Sequence, residues 1–308
     1  MTTHLYFSAG SLDHITPDGH PERPARYTAV MDALDGEVFA PLVRFETEAA
    51  DTDLFALAHP DEQITMLAGQ VPDEGRVRID PDTVMSPKTW DCVHHAVGGG
   101  VASVDALFAK EAGNTFLVAR PPGHHAEKTT AMGFCFINTA AVMARYAQHE
   151  YGVERVAIID WDVHHGNGTQ DIFEDDPSVM YCSTHQMPLY PGTGAPSETG
   201  VGNIVNAPLS PGMDGDGFKE AFRDKVLPAV DGFSPDLIII SAGFDAHHRD
   251  PLANIMLEAE DFDWATGKLM DLAGKHCDNR VASLLEGGYD LLGLAESSAA
   301  HVQRLMRG

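Results

Sequence analysis

The segment VAIIDWDVHHGNGT, residues 156–169, places two aspartates and two histidines directly after a short apolar run. Asp162 and His164 lie two residues apart, so in an extended segment their side chains point to the same side and can reach one metal ion. A short apolar run that ends in a glycine-rich turn is typical of a strand buried in a parallel sheet. The spacing therefore predicts a metal-binding strand end.

A third ligand follows another apolar run, in the segment SAGFDAHHRDPL. Asp245 in this segment offers a carboxylate oxygen, which zinc accepts, and three protein ligands that leave a fourth position open are typical of a catalytic zinc site. Each of these residues taken alone is more often a helix cap or a satisfied polar group. The prediction of a metal site rests on their occurrence at several strand ends together.

Two further groups could perform acid–base chemistry beside such a metal. His124 and His125 stand in RPPGHHAEKTTAMGF, where a neutral imidazole could take a proton from an attacking water and an imidazole could return one to a leaving nitrogen. Asp160 and Asn167 are candidates to orient the other ring nitrogens of these histidines. Tyr289 follows two glycines in LEGGYD and could donate a hydrogen bond to the oxyanion that forms from an amide carbonyl.

Short apolar runs alternate along the chain with helical patterns. The predicted strands are residues 5–7, 115–119, 156–159, 179–182, 237–241 and 281–285, and the predicted helices cover 98–113, 138–152, 215–230, 258–276 and 291–306. Such alternation indicates an α/β fold with a parallel sheet and helices on both faces. Ligands bind outside the carboxyl ends of the strands in such sheets, where the polar segments lie. We expect one catalytic domain over residues 1–308, because no linker interrupts the chain.

The chain has 46 acidic and 20 basic residues, which gives a formal net charge of −26. This balance argues against binding to nucleic acid or anionic membrane. It would suit a cationic partner such as a lysine-rich protein or a polyamine, although it could equally serve only solubility. The four cysteines form no Cys-x-x-Cys pair, and the N-terminus has no signal-peptide pattern. We expect a cytoplasmic protein, and the sequence predicts no oligomeric state.

The motifs RPPGHHA, GFCFIN, DWDVHHGNGT, STHQ, YPGTG, ETGVGNIVNAPL, AGFDAHHRDPL and LEGGYD occur in this order. Together they resemble the zinc-dependent histone deacetylase family, in particular bacterial members of its class II branch, the histone deacetylase-like amidohydrolases and acetylpolyamine amidohydrolases. The resemblance extends from GHPERPAR, residues 19–26, to at least Tyr289. It implies the arginase/deacetylase α/β fold, with a central parallel sheet of about eight strands.

The resemblance also assigns roles to individual positions. It implies zinc coordination by Asp162, His164 and Asp245. It implies that His125, the second tandem histidine, is the general base and that Tyr289 polarises the scissile carbonyl. The other matching positions are the first tandem histidine His124, its carboxylate partner Asp160, and Asn167, where some relatives carry Asp and class II relatives carry Asn. Because Asn is uncharged, we expect His125 to be held less strongly as an imidazolium.

The substrate channel and a second ion are implied in the same way. Phe134 and Tyr190 match the aromatic walls that enclose the linear acyl-lysine stem, and Gly133 would line the same channel. Arg26 matches an arginine near the cavity that receives acetate. The family also binds a potassium ion next to the zinc site, in a cage that corresponds to Asp160, Asp162, His164, Ser183 and Thr184.

Leu252 bears on the choice of substrate. It matches a mouth position at which a polyamine-selective relative carries Glu, and a leucine cannot pair with a distant ammonium group. We therefore expect a zinc-dependent amidohydrolase that removes acetyl or related acyl groups from Nε-acyl-lysine and releases acetate. The alternatives left open are an amidohydrolase for acetylpolyamines or other small acetylated amines, a binuclear manganese ureohydrolase, and a non-catalytic protein that binds acyl-lysine or a metabolite.

Overall fold

The computed structural model describes residues 2–308, which fold around a parallel sheet of eight strands. A separate antiparallel hairpin is formed by two short strands, β3 and β4 in chain order. The ten strands are β1 (Thr3–Phe7), β2 (Val43–Glu46), β3 (Val77–Arg78), β4 (Val84–Met85), β5 (Asn114–Val118), β6 (Val156–Asp160), β7 (Val179–Gln186), β8 (Ile204–Leu209), β9 (Leu237–Ala242) and β10 (Val281–Leu285).

Helices cover both faces of the sheet. The α-helices of residues 2–308 are α1 (Ala25–Ala33), α2 (Asp61–Ala68), α3 (Thr89–Phe108), α4 (Thr139–Tyr151), α5 (Asn167–Phe173), α6 (Gly215–Ala221), α7 (Leu227–Phe233), α8 (Ala259–His276) and α9 (Leu291–Arg307). Their ends follow local chemistry: the Asn138 side chain caps α4 by accepting from the Ala141 amide, and Gly152 ends that helix at a positive φ of 64°. None of the described helices is long and apolar enough to cross a membrane.

The sheet has the order β2-β1-β5-β10-β9-β6-β7-β8, and its central strands are buried on both faces. Along β6, Ala157 and Ile159 pack with α8 and α9, whereas Val156 and Ile158 pack on the opposite side with α3 and α4. This alternation follows from the two-residue period of a strand. Each fully buried aliphatic side chain contributes about 1.5–3 kcal/mol, so the two cores hold the strands in one register.

The sheet order confirms the predicted fold class and explains how the polar segments meet. The ends of β5, β10, β9 and β6 and the segments after them carry the candidate zinc ligands, the tandem histidines and Tyr289, and these four strands are consecutive neighbours in the sheet. Because all of their pairings are parallel, their carboxyl ends lie along one edge. The candidate residues are therefore gathered by topology from positions far apart in the sequence.

All six predicted strands are present, but the prediction of the sheet was incomplete. The strands β2 and β8 were missed, and β7 runs four residues beyond the predicted end at residue 182. The predicted helix over 98–113 begins earlier, at Thr89, and the predicted helix over 215–230 is divided into α6, a π-helical turn (Phe222–Val226) and α7. Both missed strands lie at the edges of the sheet.

Candidate active site

Three buried side chains converge at the ends of β6 and β9. The ligand atoms of Asp162, His164 and Asp245 all lie within 4.8 Å of one another. His164 Nδ1 is 3.1 Å from Asp162 Oδ1 and 3.1 Å from Asp245 Oδ2. Tetrahedral zinc with ligand distances of about 2.0–2.2 Å separates its ligand atoms by about 3.3–3.6 Å, so this spacing is close to that of a zinc site.

Hydrogen bonds from the backbone hold the two carboxylates in place. The Gly287 amide donates to Asp162 Oδ2, and the Val163 amide donates to Asp245 Oδ1, both at 2.8 Å. A Cβ at Gly287 would overlap both carboxylates, so glycine is required for this approach. The remaining carboxylate oxygens are left facing His164 Nδ1.

The electrostatics of this cluster also suit a cation. Burial and then the charge of Asp162 raise the pKa of Asp245 to about 7. Two carboxylates in a dry site repel each other, and a divalent cation between them would remove that repulsion. The donor set and its charge therefore both fit zinc.

A second group of potential ligands, His247, His248 and Glu258, fits a metal less well. The Arg249 amide donates to His247 Nδ1 at 3.3 Å, which leaves the ring proton on Nε2, the atom that faces the group. Glu258 is 59% exposed and lies 3.8 Å from that nitrogen. The buried cluster of Asp162, His164 and Asp245 is the better metal centre.

The two tandem histidines follow β5 and have different partners. His124 Nδ1 lies 3.0 Å from Asp160 Oδ2, which also accepts a hydrogen bond from the Tyr181 hydroxyl at 2.9 Å. His124 Nε2 lies 3.8 Å from Asp162 Oδ2. Burial lowers the pKa of His124, but Asp162 and Asp160 outweigh burial and hold that pKa well above its ordinary value.

His125 is paired with an amide instead of a carboxylate. Its Nδ1 lies 2.7 Å from Asn167 Oδ1, and Asn167 Nδ2 donates to Glu127 Oε1 at 2.7 Å. Burial, together with the charges of His124 and His164, holds the pKa of His125 well below its ordinary value. His125 is therefore a neutral imidazole whose Nε2 is available to accept a proton.

The turn that carries both histidines is fixed by a buried carboxylate that the sequence reasoning missed. Glu286 Oε2 accepts from the amides of Gly123 at 2.7 Å and His124 at 3.1 Å. The sequence signal for its role is weak: Glu286 lies three residues before Tyr289 in LEGGYD. Glu286 supports the site because it holds the backbone of the turn from which both imidazoles extend.

Tyr289 lies at the same edge of the sheet, after β10. Its amide donates to Asp250 Oδ2 at 2.7 Å, and the Arg26 guanidinium lies over its ring, 4.9 Å from the centroid. Burial raises the pKa of Tyr289 well above its ordinary value, although Arg26 opposes that change. The phenol is therefore protonated at neutral pH and can donate a hydrogen bond. Arg26 itself donates to the carbonyl oxygen of Gly288 at 2.6 Å.

A cavity of about 280 Å³ leads to these groups. All four residues predicted to contact substrate line it, and Phe134 packs edge-on against Tyr289 with ring centroids 5.8 Å apart. Three lining residues were missed: Pro21 lies in the motif GHPERPAR, to which no substrate contact was assigned, and Asp82 and Leu189 lie outside the recognised motifs. The cavity is lined by Pro21, Asp82, His125, Gly133, Phe134, His164, Leu189, Tyr190, Leu252 and Tyr289.

The residues predicted to form a potassium cage lie on two neighbouring strands and the loop after them. Asp160 on β6 is in register with Ser183 on β7. The hydroxyl of Ser183 is hydrogen-bonded to His185 Nδ1 at 2.8 Å, and within residues 2–308 the buried hydroxyl of Thr184 has no hydrogen-bond partner. The potassium site stays a prediction.

The chain is similar to known proteins in both sequence and structure. Residues 20–305 match the family model of the histone deacetylase domain. An uncharacterised protein of Synechocystis is 42% identical, with 98% of this chain and 99% of that protein covered. A probable deacetylase of Archaeoglobus fulgidus is 39% identical, with 95% and 83% covered. The crystal structure of the HDA15 HD domain superimposes with a TM-score of 0.93 at 35% identity, with 99% of this chain and 90% of that chain covered.

Proposed function

The chain belongs to the histone deacetylase family and is a deacetylase, and we propose that it removes acetyl or related acyl groups from Nε-acyl-lysine in peptides or proteins and releases acetate. The observation that carries this proposal is the cavity of about 280 Å³ that is lined by Phe134 and Tyr190 and also by His125 and Tyr289. A linear aliphatic stem with a terminal amide suits such an aromatic-walled passage, because its methylenes are buried and only the amide must find polar partners.

Asp162, His164 and Asp245 would hold zinc, since their spacing and charge fit that ion. When bound, zinc would act as a Lewis acid that polarises the acyl carbonyl and acidifies the attacking water. We also propose a potassium ion beside it, held by Asp160, Ser183 and their neighbours, and membership of the class II branch, which is supported by Asn167 as the partner of His125.

The side chains of the cavity supply the proton transfers and the oxyanion contact. His125 Nε2 takes a proton from the attacking water while Asn167 holds its Nδ1–H. The Tyr289 hydroxyl donates to the carbonyl oxygen as negative charge develops there. When the C–N bond breaks, His125 returns the proton to the leaving lysine amine, and acetate remains. His124, with its carboxylate partner, keeps positive charge beside the developing negative charge.

A second candidate substrate is an acetylated polyamine or similar small amine, which one observation favours. Asp82 lines the cavity, and Asp80 accepts from the Asp82 amide at 2.9 Å, so a second carboxylate stands beside the one in the cavity wall. A distant ammonium group could pair with them. Leu252, in the same lining, offers no such partner, which supports the acyl-lysine substrate.

Paired substrates test the proposal. The protein would be prepared with one equivalent of zinc, and kcat/KM would be measured for an acetyl-lysine peptide and for acetylspermidine, with a metal-stripped sample as control. We expect metal-dependent hydrolysis with a preference for the peptide. A preference for acetylspermidine would favour the second candidate, and tight binding of acetyl-lysine without turnover would contradict both.

A further inference from the structure

We propose that Glu127 is a positioning residue that fixes the amide orientation of Asn167 and, through it, the ring nitrogen on which His125 carries its proton. The inference rests on the proposed deacetylation, in which His125 is the base. It concerns a side chain two residues beyond the tandem histidines for which no role was predicted from the sequence.

The orientation of an asparagine amide is decided by its partners, because its oxygen only accepts hydrogen bonds and its nitrogen only donates them. Asn167 faces His125 on one side and Glu127 on the other, with both contacts at 2.7 Å. An ionised carboxylate can only accept, so Glu127 can pair only with the NH₂ group. Asn167 must then present its oxygen to His125.

The tautomer of His125 follows from that orientation. Asn167 Oδ1 is a carbonyl oxygen and needs a donor, so the neutral ring of His125 carries its proton on Nδ1. The Nε2 lone pair is then left free on the side of the cavity, where a base is needed. With the amide reversed, its NH₂ group would face Nδ1, the proton would move to Nε2, and that nitrogen could not act as a base.

The loop that carries Glu127 is held in place against α5, so Glu127 can fix the amide orientation of Asn167. The Thr169 amide at the start of α5 donates to the His124 carbonyl at 3.2 Å, and the Lys128 amide donates to Asp171 Oδ2 at 2.8 Å. A Cβ at Gly168 would overlap the Ala126 carbonyl, so glycine lets the loop lie directly against α5. The loop on both sides of Glu127 is thus attached to the helix that carries Asn167.

The remaining amide hydrogen of Asn167 does not compete with this arrangement. Asn167 Nδ2 also lies 3.3 Å from Met132 Sδ, and a thioether sulfur is a weak acceptor. Without Glu127, no strong acceptor would favour one amide orientation over the other. His125 would then be divided between two tautomers, of which one is inactive.

The first test replaces Glu127 and measures catalysis. In Glu127→Ala, we expect kcat for the acetyl-lysine peptide to fall about 2-fold, with KM and zinc content close to the parent values, because an even division between the two tautomers leaves about half of the protein with the active one. Glu150→Ala, at an exposed glutamate near the end of α4, is the matched control. A kcat for Glu127→Ala equal to that of the control would overturn the inference.

A double-mutant cycle separates positioning from a general structural role. Glu127→Gln keeps an acceptor but adds a donor, so it should lower kcat in the parent protein. In the Asn167→Asp background it should raise kcat, because the introduced carboxylate repels Glu127 and can accept from a glutamine. A loss of similar size in both backgrounds would show a merely structural role and overturn the inference.

The tautomer can also be observed without turnover. The ¹⁵N chemical shifts of His125 in the zinc-loaded protein should show a proton on Nδ1 in the parent and a tautomer mixture in Glu127→Gln. An unchanged tautomer in the variant would contradict the inference. If the parent protein hydrolysed neither test substrate, the proposed function would fail, while this spectroscopic result would still decide the role of Glu127.

Discussion

His124 and His125 are adjacent in the chain, with ring centroids 4.0 Å apart, yet their environments are opposite. His124 is hydrogen-bonded to the carboxylate of Asp160, and His125 to the amide of Asn167. The pKa of His124 is held well above its ordinary value because Asp162 and Asp160 outweigh burial. The pKa of His125 is held well below its ordinary value by burial and by the neighbouring imidazoles.

The hydrogen-bond partner of each ring, rather than its burial, therefore accounts for the different charges of the two imidazoles. Both imidazoles are buried, so desolvation acts against the charged form of each. Within the described residues 2–308, only His124 of this pair has a carboxylate at hydrogen-bond distance to compensate, and a charged His124 then disfavours a second charge on His125. One histidine keeps a positive charge, and the other remains neutral and can act as a base.

The largest expected effect comes from removing the base. His125→Gln should lower kcat for an acetyl-lysine peptide by about 10²–10⁴-fold, the range over which a positioned general base contributes. His124→Gln should lower kcat less, since it removes a charge beside the reacting amide and leaves the general base in place. Steady-state kinetics at matched zinc content check this order, and a greater loss in His124→Gln would reverse our assignment of roles.

Removing the carboxylate that distinguishes His124 should have an intermediate effect. Asp160→Asn replaces the partner by an amide, so the pKa of His124 should fall and kcat should drop about 10–100-fold, as is usual for such partners. Because asparagine keeps the shape of the site, we expect the decrease in kcat to come from the lost positive charge on His124. Unchanged kcat, with a lower pKa of His124 seen by NMR titration, would show that the charge on His124 is not used.

The reciprocal change should have a smaller effect that depends on pH. Asn167→Asp gives His125 a carboxylate partner, which should raise its pKa. Below the raised pKa, each unit of increase reduces the neutral base about tenfold, so the acidic limb of the kcat/KM profile should move to higher pH while the activity at alkaline pH changes little. A profile that does not move would mean that the partner of His125 does not control its protonation.

The smallest expected effect concerns His301, whose pKa is changed by burial alone. This change should affect the stability of the protein rather than its activity. His301 is hydrogen-bonded to Thr266 and Ser283, it has no carboxylate partner among residues 2–308, and burial lowers its pKa to about 3 from 6.5. Because the unfolded chain binds this proton more readily, the stability present above pH 6.5 should decrease as the pH falls toward 3, by at most about 1.4 kcal/mol per unit. Urea unfolding should show a shallower pH dependence for His301→Gln, and an equally steep one would contradict the assignment.

The sequence predicts the parts of this site that follow strand ends, and fails where a role depends on tertiary contact. The central strands are apolar on both faces, so they are recognisable as short runs. β2 was missed because its four residues are exposed, and β8 because this edge strand includes Asn206 and Pro208. The motifs identify the histidines and carboxylates, but the part of Glu127 depends on how its loop lies against α5.

The most direct test of the account is the protonation state of His125 in the zinc-loaded parent protein at neutral pH. Histidine ¹⁵N NMR, with the resonance assigned through loss in His125→Gln, reports both the charge of the ring and the position of its proton. We predict a neutral ring with its proton on Nδ1, where Asn167 Oδ1 accepts it. An imidazolium, or a neutral ring with its proton on Nε2, would contradict the assignment of His125 as the base.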